Sequence, residues 1–140
     1  MSSERTDAML NRKEKFWEVY RIGQLIGRGT YGEVRVCKHI YSMQLRAVRV
    51  LQKSLMDEND VNKFMTEMLV LISCDHKNIV HFYELYQDDN NFYIVCELCK
   101  GGELFQYMQA ITDANDSFNE RDASTIIVQV LSALSYLHKN

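Results

Sequence analysis

The sequence has no long hydrophobic run. Continuous apolar stretches such as residues 126–128 are only a few residues long, whereas a membrane-spanning helix needs about 20 apolar residues. The first seven residues also lack the apolar core of a signal peptide. We therefore expect a location in the cytoplasm, or in the nucleus, and no membrane partner.

The sequence also has little excess of charge of either sign. Sixteen Lys and Arg residues face 19 Asp and Glu residues, for a net charge of -3 with the signs interspersed. This balance provides no electrostatic argument for binding nucleic acid. Hydrophobic residues make up 46% and aromatic residues 11% of the 140 residues, which suffices for the core of one ordinary domain.

Cysteines are few, and their spacing does not favour a metal site. Cys96 and Cys99 form a C-x-x-C pair, while Cys37 and Cys74 have no cysteine close by in the sequence. One pair supplies two of the four ligands that structural zinc requires. We therefore predict ordinary thiols and no metal ligands.

Gly27, Gly29 and Gly32 form a G-x-G-x-x-G pattern. A backbone approaches phosphate oxygens closely where side chains are absent, and glycine also tolerates the φ values that a tight turn requires. Dinucleotide-binding folds share this pattern, but in them a helix begins inside the motif. Here Val34 and Val36 follow at strand spacing. The arrangement of strand, glycine loop and strand favours a lid over nucleotide phosphates.

The remaining pattern predicts a small antiparallel sheet with one packed helix. Residues 19–26, 33–39 and 45–50 read as strands, and residues 80–86 and 92–97 as a hairpin. A helix is predicted behind the acidic segment 57–60, because apolar residues from Val61 to Ile72 recur at helical spacing. Two more helices are predicted over 103–110 and 120–138, the second starting at Asn119.

Taken in order, these stretches resemble serine/threonine protein kinases, most closely the calcium-dependent, calmodulin-kinase-like group. The resemblance covers roughly residues 16–140 and rests on the glycine loop, the strand around Ala47, the helix with Glu67, and the segments 75–80, 92–98 and 100–105. It implies an α+β fold: a kinase N-lobe with a five-stranded antiparallel sheet and one C helix, then the first two helices of an incomplete C-lobe. The implied domains are a polar lead-in (1–15), the ATP-binding N-lobe (16–98), and the hinge with partial C-lobe helices (99–140).

The resemblance also implies a site for ATP. In the family, Glu67 pairs with the residue at position 49, and Cys96 occupies the position that controls access behind the adenine. The ATP-binding positions carried over are Ile26, Gly27, Arg28, Gly29, Thr30, Tyr31, Gly32, Glu33, Val34, Ala47, Arg49, Glu97, Cys99 and Glu103. Within the loop, Arg28 is expected to face solvent, and Tyr31 to cap the phosphates or to shield apolar surface.

Two departures from the family pattern bear on activity. Arg49 stands where the family has lysine, and the 140 residues contain no His-Arg-Asp, Asp-Phe-Gly or Ala-Pro-Glu motif. We therefore predict no catalytic residue in this chain, and Mg²⁺ binding only if C-lobe residues outside it complete the site. Arg49 is expected to keep a bidentate pairing with Glu67 while aligning phosphates less well than lysine. Lys53 lies too far along the strand to substitute and is expected to be a solvated charge.

Three interpretations of function remain open. The chain is the ATP-binding portion of a longer serine/threonine kinase, inactive alone. Alternatively it is a noncatalytic pseudokinase-type module that binds nucleotide weakly or not at all, or a purely structural interaction module. The apolar stripe of helix 120–138 has no partner within the chain. We therefore expect the chain to be poorly soluble alone, to fray after about residue 110, or to need another protein that covers this helix.

Overall fold

The computed structural model describes residues 13–114 and 118–139. Its elements, in chain order, are α1 (Phe16–Val19), β1 (Tyr20–Gly29), β2 (Gly32–His39), β3 (Leu45–Gln52), a 3-10 turn (Lys53–Leu55), α2 (Glu58–Ser73), β4 (Phe82–Gln87), β5 (Asn91–Cys96), α3 (Leu104–Asp113) and α4 (Glu120–Lys139). The chain divides into two compact units. The first comprises the described residues of Met1–Cys74 with His81–Leu98, and the second comprises those of Asp75–Val80 with Cys99–Asn140.

The first unit contains one antiparallel sheet of five strands in the order β1-β2-β3-β5-β4. The predicted five-stranded antiparallel sheet with one packed helix is therefore confirmed. The strand limits differ in detail. β1 begins at Tyr20 and continues to Gly29 instead of ending at residue 26, because the first two glycines of the triplet pair with β2. β4 begins at Phe82 instead of residue 80.

One face of the sheet is closed by α1, a single helical turn that the sequence did not predict. Phe16, 2% exposed, stacks on Tyr93 with ring centroids 4.5 Å apart and on Tyr20 at 5.4 Å. Aromatic residues bury large apolar areas and gain further from such ring pairs. The buried residues packed together on this face are Phe16, Val19, Tyr20, Cys37, Val48, Tyr86, Tyr93 and Val95.

The opposite face is covered by α2. Its buried residues Phe64 and Met68 lie on the predicted apolar stripe and pack against strand residues that include Leu51 and Phe92. The helix begins with a capping box, in which Asp57 Oδ1 accepts from the Asp60 N–H at 2.8 Å and Asp60 Oδ2 accepts from the Asp57 N–H at 3.2 Å. These bonds satisfy backbone donors that a helix start otherwise leaves unpaired.

In the second unit, segment 75–80 packs beside α4. The Asp75 N–H donates to the Tyr136 hydroxyl at 3.0 Å, and Asn78 Nδ2 donates to Gln129 Oε1 at 3.3 Å. The predicted start of the last helix is confirmed, since the Asp122 N–H donates to Asn119 Oδ1 at 2.9 Å. α3 extends beyond the predicted end at residue 110. Neither these helices nor any other in the described ranges has the length and apolar content of a membrane span.

Candidate nucleotide site

The glycine triplet lies at the end of the β1–β2 hairpin. Gly27 pairs with Val34, Arg28 with Glu33 and Gly29 with Gly32, so that the turn consists of Thr30 and Tyr31 alone. The predicted sequence of strand, glycine loop and strand is therefore present as a continuous hairpin. Ile26, on β1 before the glycines, is 48% exposed.

The reason for glycine differs among the three positions. None of them has a positive φ, since among the described glycines only Gly101 and Gly102 do. The hairpin therefore does not use the φ values that favour glycine at any of the three positions. At Gly32 the reason is close packing, because a Cβ would lie 1.9 Å from the Val50 carbonyl oxygen. At Gly27 and Gly29 a Cβ would meet its nearest atom only at 3.8 and 3.9 Å.

Tyr31 at the loop tip is held from two sides. Its hydroxyl donates to Asp60 Oδ1 at 2.9 Å, and its carbonyl accepts from the Gln52 N–H at 2.9 Å. The ring packs against the α2 face of the sheet, so the structure matches the shielding interpretation of Tyr31. The Asp57 backbone, and then the Tyr31 hydroxyl, hold the pKa of Asp60 below its usual value.

Arg28 is solvent-facing, with 73% of its side chain exposed, and Arg28 Nη2 lies 3.5 Å from Glu33 Oε1. The same glutamate accepts a 2.7 Å hydrogen bond from Arg35 Nε. Glu33 therefore lies between two guanidinium groups on the hairpin. Pairs this exposed contribute little to stability, about 0–1 kcal/mol.

Arg49 and Glu67 lie close together. Arg49 Nη1 is 3.6 Å from Glu67 Oε1, and the two side chains are 41% and 54% exposed. That distance gives an ion pair, but it is too long for a hydrogen bond, so the expected bidentate fork is not formed. Because both groups are half exposed, the contact is weak and leaves guanidinium donors available to other groups.

The expectation that Lys53 is a solvated charge is wrong, because its side chain is hydrogen-bonded. The chain leaves β3 in a 3-10 turn at this residue, which directs the side chain toward the β4–β5 hairpin. There Lys53 Nζ donates to Gln87 Oε1 at 3.1 Å and to the Asp88 carbonyl, while the Lys53 N–H donates to the Asn90 carbonyl at 2.8 Å. Lys53 therefore ties the end of β3 to this hairpin.

Two of the predicted site positions lie on the neighbouring strands β3 and β5. Ala47, 5% exposed, is the register partner of Cys96, which also pairs with Phe82 on β4. Two hydrogen bonds join Glu97 to His81. The Glu97 N–H donates to the His81 carbonyl at 2.9 Å, and the Glu97 carboxylate accepts from the His81 backbone N–H at 3.2 Å.

The other two predicted site residues, Cys99 and Glu103, belong to the second unit. Between them lie Gly101 and Gly102, whose φ values of 118° and 79° favour glycine. Glu103 is the N-cap residue of α3, and its N–H donates to Gln106 Oε1 at 3.4 Å. The first unit therefore contains all of the predicted positions except these two.

Asp60 and Gln52 are the residues near the loop that the sequence did not single out. The sequence indicates Asp60 only as an acid suited to a helix start, because Glu or Gln is the usual residue at this position of a capping box. All four cysteines are free thiols. Over residues 13–114 and 118–139, no group of three or more His, Cys, Asp or Glu side chains is placed to hold a metal ion.

Comparison with known proteins identifies relatives over nearly the whole chain. Residues 20–140 match the protein kinase domain family. The chain is 34% identical over 134 residues to calcium/calmodulin-dependent protein kinase type I of Schizosaccharomyces pombe, covering 95% of this chain and 39% of the relative. It is 33% identical to calcium-dependent protein kinase 5 of Plasmodium falciparum, covering 94% of the chain and 22% of the relative. Calcium-dependent protein kinase 4 of Plasmodium berghei is 34% identical, with coverages of 93% and 24%. The chain thus spans less than half the length of these relatives.

Proposed function

Because the chain belongs to the protein kinase domain family, we propose that it is the ATP-binding portion of a serine/threonine protein kinase. The glycine hairpin would bind the phosphates, and the paired residues Ala47 of β3 and Cys96 of β5 would contact the adenine. The relatives named above are calcium-dependent kinases, which supports the same class of protein.

One observation carries this proposal, a row of register partners across four strands. Gly27 on β1 pairs with Val34 on β2, Val34 pairs with Arg49 on β3, and Arg49 pairs with Ile94 on β5. Neighbouring strands lie about 4.8 Å apart, so the Gly27 backbone is only about 10 Å from the Arg49 backbone. An arginine side chain spans most of that distance, and its charge suits phosphate.

The test is nucleotide binding by the 140-residue chain, measured by calorimetry with ATP in the presence of Mg²⁺. Gly29→Val should weaken binding strongly, because position 29 has room for a side chain that would then block the approach of phosphate. Arg49→Met should also weaken binding, whereas Arg49→Lys should strengthen it by supplying a compact charge. Lys38→Met, an exposed change on β2 of the same sheet, is the control and should bind as wild type does. Failure of the wild-type chain to bind at millimolar ATP would overturn the proposal.

Phosphoryl transfer by these 140 residues alone is expected to be absent. The residues that act as catalytic base and Mg²⁺ ligands in protein kinases belong to motifs that this sequence does not contain. Incubation of the purified chain with labelled ATP, Mg²⁺ and a generic protein substrate should give no labelled product above that of Gly29→Val. Label that appears with wild type and disappears with this variant would contradict the expectation.

A second candidate function is a noncatalytic interaction module. The observation that favours it is the surface of α4, whose exposed aliphatic residues are Ile127, Val128, Val130, Leu131, Leu134 and Leu137, each 39–61% exposed. Burying one such side chain is worth about 1.5–3 kcal/mol, so a protein that covers this helix would gain substantially. This second function is favoured over nucleotide binding by two results together. Wild type should bind no ATP but associate with itself in sedimentation, and the double variant Leu131→Glu with Leu134→Glu should abolish that association.

A further inference from the structure

We propose that Tyr31 and Asp60 form a latch that fixes the tip of the glycine loop to the first turn of α2 before any nucleotide arrives. The latch positions the loop backbone and thereby lowers the entropic cost of binding. The expected effect of the latch on nucleotide affinity rests on the proposed function. Its expected effect on the mobility of the loop does not.

Three contacts hold the loop tip. The Tyr31 hydroxyl donates to Asp60 Oδ1 at 2.9 Å, the Tyr31 carbonyl accepts from the Gln52 N–H at 2.9 Å, and the ring packs against the α2 face of the sheet. Two-residue turns between strands are normally free to move at their tip. Here the turn residue is bonded through its side chain to Asp60, 29 residues away in sequence, and through its backbone carbonyl to Gln52 on β3.

The acceptor in the latch is itself rigid. Asp60 Oδ2 accepts from the Asp57 N–H at 3.2 Å, while Asp57 Oδ1 accepts from the Asp60 N–H at 2.8 Å. Both carboxylate oxygens of Asp60 are therefore used, one for the helix cap and one for Tyr31. Because the capping box fixes the position of the carboxylate, the tyrosine hydroxyl meets a preplaced partner, and a charged acceptor makes a stronger bond than a neutral one.

The latch also connects the loop to the rest of the candidate site. α2 carries Asp60 at its first turn and Glu67 about two turns further on, and Glu67 lies 3.6 Å from Arg49. One helix therefore contacts both the loop tip and the cation proposed to face the phosphates. A displacement of α2 away from the sheet would release both contacts together.

Preorganisation of the loop predicts whether loss of the latch raises or lowers the affinity for nucleotide. A loop that is already ordered loses less conformational freedom when ligand binds, so affinity is higher than for the same loop unlatched. Removing the hydroxyl alone leaves the ring packing and the Gln52 bond in place. Because only one partly exposed hydrogen bond is removed, the expected loss of affinity is between about two- and tenfold.

The first experiment measures amide hydrogen exchange in the 140-residue chain without nucleotide. Tyr31→Phe deletes only the hydroxyl, and Tyr41→Phe, at a residue that is 79% exposed, is the matched control. We expect Tyr31→Phe to exchange between about two- and tenfold faster than wild type over residues 27–33, with the control unchanged. Equal exchange rates in wild type and Tyr31→Phe would overturn the latch, irrespective of the result for nucleotide binding.

The second experiment measures the affinity of the same three proteins for ATP with Mg²⁺. A two- to tenfold weaker affinity in Tyr31→Phe supports preorganisation, and an unchanged affinity together with faster exchange would overturn it. If wild type binds no nucleotide while Tyr31→Phe still exchanges faster, the latch stands and the proposed ATP function fails. The two conclusions are therefore tested separately.

Discussion

Replacement of Gly32 by alanine should destabilise the first unit, although the change adds only one methyl group. An ideal Cβ at this position would lie 1.9 Å from the carbonyl oxygen of Val50, 2.9 Å from its carbonyl carbon and 3.3 Å from the Leu51 Cα. All three atoms belong to the backbone of β3, which pairs with β2 at this point. No side chain can rotate away to make room, so the two strands must separate by roughly 1 Å or more.

The size of the effect follows from two opposing contributions. Overpacking that shifts the backbone costs about 1–3 kcal/mol, while replacing glycine by alanine at a compatible position gains about 0.4–1 kcal/mol by restricting the unfolded chain. Gly29→Ala on the same hairpin keeps the second contribution without the first, because its Cβ would lie 3.9 Å from the nearest atom. The second contribution is common to both variants, so they should differ by the overpacking cost alone, about 1–3 kcal/mol in the free energy of unfolding.

Thermal unfolding followed by tryptophan fluorescence measures this difference in the right part of the molecule. The single tryptophan, Trp17, lies in the first unit and makes an edge contact with Tyr93 at 5.9 Å. For a domain of this size, 1 kcal/mol shifts Tm by about 4–8 °C. Gly32→Ala should therefore melt at least about 4 °C below Gly29→Ala. Coincident melting curves for the two variants would refute the packing argument for glycine at position 32.

Three further predictions concern the core and the hairpins of the first unit. Phe16→Ala should lower the free energy of unfolding by about 3–5 kcal/mol in urea titration, because it removes a ring that is 2% exposed; a loss below about 1 kcal/mol would contradict the assigned role of α1. Burial alone would raise the pKa of Asp88, but hydrogen bonds from Tyr93 and two backbone N–H groups outweigh it and lower that pKa. Its stabilising contribution is thus present above the unfolded pKa of about 3.9 and is lost as pH falls through the folded value. Asp88→Asn should therefore make the free energy of unfolding fall less steeply toward acid pH than in wild type. An identical slope in the two proteins would contradict this role of Asp88. Burial raises the pKa of the Cys37 thiol to about 12, so mass spectrometry after iodoacetamide treatment should find exposed Cys99 modified in the native chain and Cys37 only after unfolding.

Much of the fold was predictable because its signals are local. Alternating apolar residues predicted the strands, and apolar residues at helical spacing predicted α2, with Phe64 and Met68 on its buried side. The hydrogen bond from the Asp122 N–H to Asn119 confirms a cap that depends on residues three apart. α1 was missed because one helical turn has no periodicity to detect. It forms because Phe16 can stack on Tyr93 of β5, far away in sequence, as well as on Tyr20 next to it.

The candidate site was predictable only in outline. Motif order placed the glycine loop, Arg49 and Glu67 in one site, and the last two lie 3.6 Å apart. The contacts of Lys53 were not predictable, since they depend on the direction in which the chain leaves β3 toward the β4–β5 hairpin. The same holds for Tyr31, because its partner Asp60 is close only once α2 has packed on the sheet.

The sequence by itself determined the family, the order of strands and helices along the chain, and the residue types available at the loop. These properties follow from short-range patterns and from motifs read in order. Only the tertiary structure decided why Gly32 must be glycine, what holds the loop tip, and that the Arg49–Glu67 contact is a single weak ion pair. Each of these depends on distances between segments far apart in sequence, which are set by the packing of β3 and α2 and not by any local preference.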